Sequence, residues 1–322
     1  MNTNQFLQDI STHRSSLMGL SIIAIQLFHQ KFLGTFPFTI FHYYGYWGVD
    51  VFLLLSGMGL VNSLQKNTLK IYYQRRIMRI LPSCAFFGIL KTIVFLIISM
   101  ACIVPDDTFQ CNWGTPLCLD LWYIRAIIVY YLLSPVLYKY LQKCPYLTMT
   151  VVFLLFFANN LFLRVHDADS PTWIIERLPV FAIGMLLMVR KSLLSAKTIT
   201  LSAISLLLAI TIVSIYKGDI YTTYPWTAHM FSLALGTTAM IYFMVWILNH
   251  IPERLLVSIK WAGSISLEIY LIHEFVFNAA ATLLPQYPPA ILLIISIVLS
   301  WLIAYIGKML IPDFRIQRKR DH

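Results

Sequence analysis

The sequence predicts an all-α, polytopic membrane protein of about ten transmembrane helices, with both termini on the cytoplasmic side. Three observations carry that prediction. Of the 322 residues, 59% are hydrophobic and 12% charged, against roughly 25% charged in a soluble domain. Apolar runs of about 20 residues, the length that crosses a bilayer, recur from end to end and leave no room for a sizeable soluble domain. The net charge of +10 sits at the ends of those runs, so it reports topology and not a nucleic-acid partner.

The first apolar run covers 15–33. Another span follows it and no small-residue cleavage site does, so it reads as a retained helix and not as a removed signal peptide. Further spans are expected near 43–64, 81–104, 119–138, 146–163, 174–189, 199–216, 227–247, 261–282 and 288–310. Every second connection is basic. Lys66, Lys70, Arg75, Arg76 and Arg79 follow the second span, and Lys139 and Lys143 follow the fourth. Arg190, Lys191 and Lys197, then Arg254 and Lys260, then Arg315, Arg318, Lys319 and Arg320 continue the pattern. The opposite connections hold little beyond Lys31, Arg164 and Lys217. Cytoplasmic loops carry the excess of lysine and arginine, which sets the orientation. A single membrane-embedded domain over 1–322, in the plasma membrane, is the expectation.

Two ionisable residues interrupt the first two spans. An ionisable group in hydrocarbon is costly and marks a functional site by default. With about 1.5 Å of rise per residue, His29 falls about 6 Å before the turn and Asp50 about 10 Å after it. The two side chains are therefore expected at similar depth, in the half of the bilayer nearer that turn. Histidine is the side chain whose unperturbed pKa, about 6.5, suits a base near neutral pH. Asp50 is expected to fix its tautomer and stabilise the imidazolium, as a carboxylate does in hydrolase triads. The plain alternative is an inert histidine hydrogen-bonded inside the bundle.

The cysteines give no CxxC or Cys/His spacing that suits a metal. Cys111 and Cys118 fall on the outer side, where they read either as a disulfide or as two thiols of a small loop.

Three blocks stand in order along the chain: Arg14-Ser-Ser-Leu-Met-Gly19 leading to His29, Gly45-Tyr-Trp-Gly-Val-Asp-Val-Phe-Leu-Leu-Leu-Ser-Gly57, and Tyr72-Tyr-Gln-Arg-Arg-Ile-Met-Arg-Ile-Leu-Pro82. Later segments continue the series: Leu121-Trp-Tyr123, Arg177-Leu-Pro-Val-Phe-Ala-Ile-Gly184 and Ser266-Leu-Glu-Ile-Tyr-Leu-Ile-His273. In that order and spacing the chain resembles the integral-membrane acyltransferases of acyltransferase family three, over nearly its whole length. There is one departure. Many members carry Arg-Gly eleven residues before the histidine, where this chain has Met18-Gly19. Arg14 lies one turn earlier on the same face.

The resemblance implies transfer of an acyl group, usually acetyl, from cytoplasmic acetyl-CoA or another acyl-CoA. The acceptor it implies is a hydroxyl of an extracytoplasmic polysaccharide or lipid-linked sugar. His29 would be the base and Asp50 its orienting acid. Arg75, Arg76 and Arg79 would hold the phosphates of coenzyme A, because the planar guanidinium pairs with phosphate bidentately. Pro82 is expected in the first turn of the third span, with the exposed amides of that helix start as a second anion site. The competing reading of these arginines is orientation and anionic lipid headgroups.

Other polar residues fall within the spans. Arg125 is expected to pair with Asp50, Glu274 or the substrate, either stabilising an oxyanion or forming a structural ion pair. His273 and Glu274 either line the same cavity or form a structural bridge. Lys91 meets the donor's thioester or pantetheine arm, or pairs with Glu268. Ser56 reads as a helix-packing residue. Trp47, Trp113, Trp122, Trp173 and Trp226 read first as an interfacial belt, with stacking on sugar rings as the second reading. A transporter or flippase of a sugar or lipid-linked substrate is the alternative function, against which stands the lack of an inverted repeat.

Overall fold

A computed structural model of the chain describes residues 3–30, 32, 39–100, 118, 121–163 and 172–311. The predicted positions Lys31, Cys111, Trp113, Arg164 and Arg315–Arg320 lie outside the described residues, and the disulfide reading lies there with Cys111. Among the described residues every regular element is a helix. Among the described residues eight helices are long and apolar enough to cross a membrane, or nine if one bent pair counts as a single span. The chain is a multi-pass membrane protein.

A short helix, α1 (Thr3–Thr12), precedes α2 (Arg14–His29), which stands where the first span was predicted. At 16 residues α2 is shorter than the span predicted there. A small helix, α3 (Thr39–Tyr44), and one 3₁₀ turn lead into α4 (Gly48–Lys66). Then follow α5 (Leu69–Met100), α6 (Trp122–Lys143) and α7 (Pro145–Ala158), the last continued by a π turn, Asn159–Leu163. The remaining helices are α8 (Thr172–Val189), α9 (Ala196–Tyr216), α10 (Thr223–Leu248), α11 (Glu253–Ser264), α12 (Ser266–Leu283) and α13 (Pro289–Leu310). Apolar side chains such as Leu207, Ile215, Ile294 and Val298 face outward, the surface that a helix bundle presents to lipid.

Two helices depart from their predicted course. The third span was placed to begin at Pro82, yet α5 runs unbroken from Leu69 with Pro82 inside it. Proline removes one amide, a loss that membrane helices tolerate when neighbours compensate. No helix start, and so no amide anion site, exists at Pro82. The ninth span is two helices, α11 and α12, bent by 79°. The bend is fixed by close packing of α11 across α2. A Cβ on Gly263 would lie 1.6 Å from the Ser15 carbonyl oxygen, and one on Gly19 would lie 1.9 Å from that of Ile259. Only glycine at both places lets the two backbones touch. The Gly19 of the Met18-Gly19 departure therefore keeps a structural task.

At the centre, α4 lies against α2 and α8. Gly45 sits over Ala24 and Phe28 of α2, and Gly48 sits over Ser21 and Ile25. These contacts set the vertical register of the two helices that carry His29 and Asp50.

Candidate active site

That register corrects the expectation of similar depth. With Gly48 opposite Ser21 and Ile25, Asp50 lies on the order of 10 Å deeper than His29. Its carboxylate does not reach the imidazole. Asp50 is completely buried and its Oδ2 accepts a short charge-assisted hydrogen bond from Arg177 Nη1 of α8. The Arg177 guanidinium in turn lies over the Tyr46 ring, 5.5 Å from its centroid. Arg177 stood in a quoted block, and the rule that flagged Asp50 applies equally to Glu176 and Arg177, both buried within α8.

His29 finds a different partner. Its Nδ1 lies 2.9 Å from the Ile25 carbonyl oxygen and 3.3 Å from Nε2 of His273. On His273, Nδ1 lies 3.1 Å from the Ile269 carbonyl and 3.0 Å from that of Tyr270. Carbonyl oxygens only accept, so Nδ1 of His273 carries its hydrogen and Nε2 its lone pair. Nδ1 of His29 then faces two acceptors and must donate. The neutral His29 ring is thereby left with its lone pair on Nε2. The two turns of α2 and α12 assign a tautomer to the base by hydrogen bonding alone, the task expected of Asp50. The rings meet edge to face at 5.1 Å.

A cavity of about 330 Å³ opens at the basic end of the bundle, with Arg14, Ser56, Gly59, Arg76, Arg79 and Tyr131 in its wall. Arg14 Nη2 donates to the Leu55 carbonyl at 2.9 Å. It passes 3.1 Å from where a Cβ on Gly59 would stand, so glycine there makes room for it. Arg76 donates to Ser63 Oγ at 3.3 Å and lies over the Tyr72 and Tyr131 rings, 5.8 Å from each. Of the three predicted arginines, Arg76 and Arg79 line the cavity and Arg75 does not. Positions three apart share a helix face, and here that pair is 76 and 79. Arg14 supplies the third cation.

A second, narrow cavity of about 40 Å³ continues inward. It shares Ser56, Arg79 and Tyr131 with the first and adds Met18, Tyr123, Ser266 and Tyr270. The rings of Tyr123 and Tyr270 lie 5.0 Å apart, and Tyr270 lies 5.7 Å from the His273 ring. A file of side chains thus runs from the arginines to the histidine pair. Arg14 and His29 stand about 22 Å apart along α2. Met18, which replaces the family's arginine, lines the narrow part.

The remaining predicted residues divide. Trp122 packs against Trp173 of α8 at 6.1 Å, away from the histidine pair. Arg125 is half-buried on α6, and no ion pair joins it to Asp50 or Glu274 among the described residues. Glu274 is half-buried on α12 beside His273. Lys91 is buried on α5. Glu268, offered as its partner, instead takes Lys308 Nζ at 2.8 Å and Ser83 Oγ at 3.0 Å. Trp47 and Trp226 are 7% and 2% exposed and so are core residues, not belt anchors. Trp226 Nε1 donates to Glu176 Oε1.

A family model described as an acyltransferase domain matches residues 17–309. The match takes in every residue of the histidine pair and of the narrow cavity, and all of the wide one except Leu7, Ile10, Ser11 and Arg14. No curated protein and no solved structure matches the chain. A bundle of apolar helices and a family match over nearly the whole chain agree, and the chain belongs to acyltransferase family 3, a membrane acyltransferase.

Proposed function

We propose that the protein is an O-acyltransferase that moves an acyl group, acetyl in the simplest case, from cytoplasmic acyl-CoA to a hydroxyl on an extracytoplasmic glycan or lipid-linked sugar. Coenzyme A places its phosphates among Arg14, Arg76 and Arg79. Its pantetheine arm follows Tyr131, Ser56 and Tyr270 inward, and the thioester stops beside His29. The acceptor arrives from the opposite side. His29 Nε2 takes the hydroxyl proton as that oxygen attacks the thioester carbonyl carbon. The C–S bond breaks, and the thiolate recovers the proton from His29. His273 holds the imidazole in the tautomer that can do this.

The observation that supports this reading best is a wide cavity walled by three arginines beside a narrow one that shares Ser56, Arg79 and Tyr131 with it and extends to Tyr270, the ring neighbour of His273. Arginine pairs well with phosphate, while the narrow tyrosine-lined part suits a thin, mostly uncharged arm. Such a route has use for a long donor with an anionic head.

The test is kinetic. A hydrogen bond to a charged group contributes about 1.5–3 kcal/mol, so Arg79→Gln or Arg14→Gln is expected to raise KM for acetyl-CoA by about tenfold or more, with a smaller effect on kcat. S-acetylpantetheine, which has no phosphates, is expected to be used equally by variant and wild type. Equal KM values for acetyl-CoA in all three proteins would remove the arginines from donor binding.

A further inference from the structure

Away from the arginines, the start of α4, the π turn, α8 and α10 touch one another around a second group of buried polar side chains. Five atoms there meet no hydrogen-bond partner within the described residues: Trp47 Nε1, Asp50 Oδ1, Asn159 Oδ1, Asn160 Oδ1 and Arg177 Nε. All five residues are more than nine-tenths buried. Buried polar atoms without partners are costly, and each needs an explanation. The π turn that carries two of them is a rare element that recurs at functional sites.

The chemistry of the five narrows what would satisfy them. Three are acceptors and two are donors. A metal cation would suit the three oxygens but would face the Arg177 guanidinium. An anion would suit Arg177 and Trp47 but would face the carboxylates of Asp50 and Glu176. A hydroxyl both donates and accepts, so a neutral polyol meets the whole set. Flat aromatic faces stand beside it: Trp47 and Trp226 lie 5.7 Å and 5.9 Å from the His229 ring, and Trp173 lies 5.9 Å from Trp226. Few polar groups set among aromatic rings are the usual make-up of a small-molecule site.

We infer that this group is the acceptor subsite, taking a neutral polyhydroxylated ring, a sugar, through Trp47, Asp50, Asn159, Asn160 and Arg177. The inference rests on the acyltransferase reading for what happens to the sugar, but not for its binding. Two side chains link the group to the base: the Tyr46 ring lies under Arg177, and Phe28 lies 5.4 Å from the Tyr46 ring and 4.8 Å from the His29 ring. The next ring of a short glycan would reach His29. Donor and acceptor would then approach the histidine from opposite sides, the donor past Tyr270 and the acceptor past Phe28.

The experiment is titration of the purified full-length protein with neutral mono- and oligosaccharides, read by tryptophan fluorescence and calorimetry. Trp47→Phe keeps the ring and removes one donor, and Asn160→Ala removes one acceptor. Thermal unfolding of each variant reports whether it is folded. At least one sugar is expected to bind the wild type, and both folded variants are expected to lose about tenfold or more in affinity. Unchanged sugar affinity in both variants would overturn the assignment. So would a wild type that binds none of the sugars, which would leave the group a site for ordered water only. Thiol release from acetyl-CoA, measured separately, distinguishes the two failures: sugar binding without any thioester turnover would sink the acyltransferase reading and spare the subsite.

Discussion

Replacing His29 by alanine is expected to lower acyl transfer by about two to four orders of magnitude, the range that a positioned base supplies. Release of free thiol from acetyl-CoA by the purified protein measures it. The size of the loss follows from the hydrogen-bond chain that leaves the His29 lone pair on Nε2, free to take the acceptor's proton in the proposed reaction. His273→Leu removes one acceptor for His29 Nδ1 but leaves the Ile25 carbonyl at 2.9 Å. Its loss is therefore expected to be smaller than that of His29→Ala. A larger loss in His273→Leu than in His29→Ala would reverse the two roles.

The second large effect concerns stability. Arg177→Met leaves Asp50 completely buried without the one ion-pair partner it has among the described residues. Breaking a buried pair in this way typically costs about 3–5 kcal/mol, whereas replacing both charges by apolar groups is often neutral or stabilising. Arg177→Met is therefore expected to lower the thermal midpoint strongly in detergent, and Asp50→Leu/Arg177→Met to recover much of it. Additive losses in the double variant would show that the pair is not the unit that the geometry makes it. Thermal unfolding reads the pair's part in the bundle alone, apart from any sugar that Asp50 and Arg177 bind.

Most of the helices were legible because each needs an apolar run of spanning length, although eight or nine candidate spans stand among the described residues where about ten were expected. The boundaries of α8, α9, α10 and α13 fell within a few residues of expectation, whereas α5 begins twelve residues before its expected start. Three features were hidden for physical reasons. The amphipathic α1 has no apolar run long enough to notice, yet Leu7, Ile10 and Ser11 line the arginine cavity. The break before α12 depends on Gly19 and Gly263 bringing two backbones together, a tertiary contact with no local signal. Pro82 suggested a helix start, but the apolar surroundings carried α5 through it.

At the site, His29 and His273, each flagged as an ionisable residue within a span, come together, and Arg76 and Arg79 share a cavity wall. Asp50 was flagged by the same rule, but its partner was not foreseen, because depth along two helices depends on their register. Gly45 and Gly48 set that register by packing on α2, and the turn alone did not reveal it. Arg177 and Glu176 were readable by the rule used for Asp50 and were passed over as part of a motif. Trp47 and Trp226 looked like belt residues because their positions near span ends suit a boundary, whereas packing against His229 and Glu176 turns them inward.

The claim on which the account turns is that one continuous route joins the arginine cavity to the histidine pair, and Ser56, which lines both of its parts, is the place to block it. Acetyl-CoA binding and thiol release are to be measured side by side on Ser56→Trp. The account predicts that the variant still binds coenzyme A through the arginines and loses thioester turnover by at least a hundredfold, about 2.7 kcal/mol in barrier. Turnover at the wild-type rate with the passage filled would contradict it.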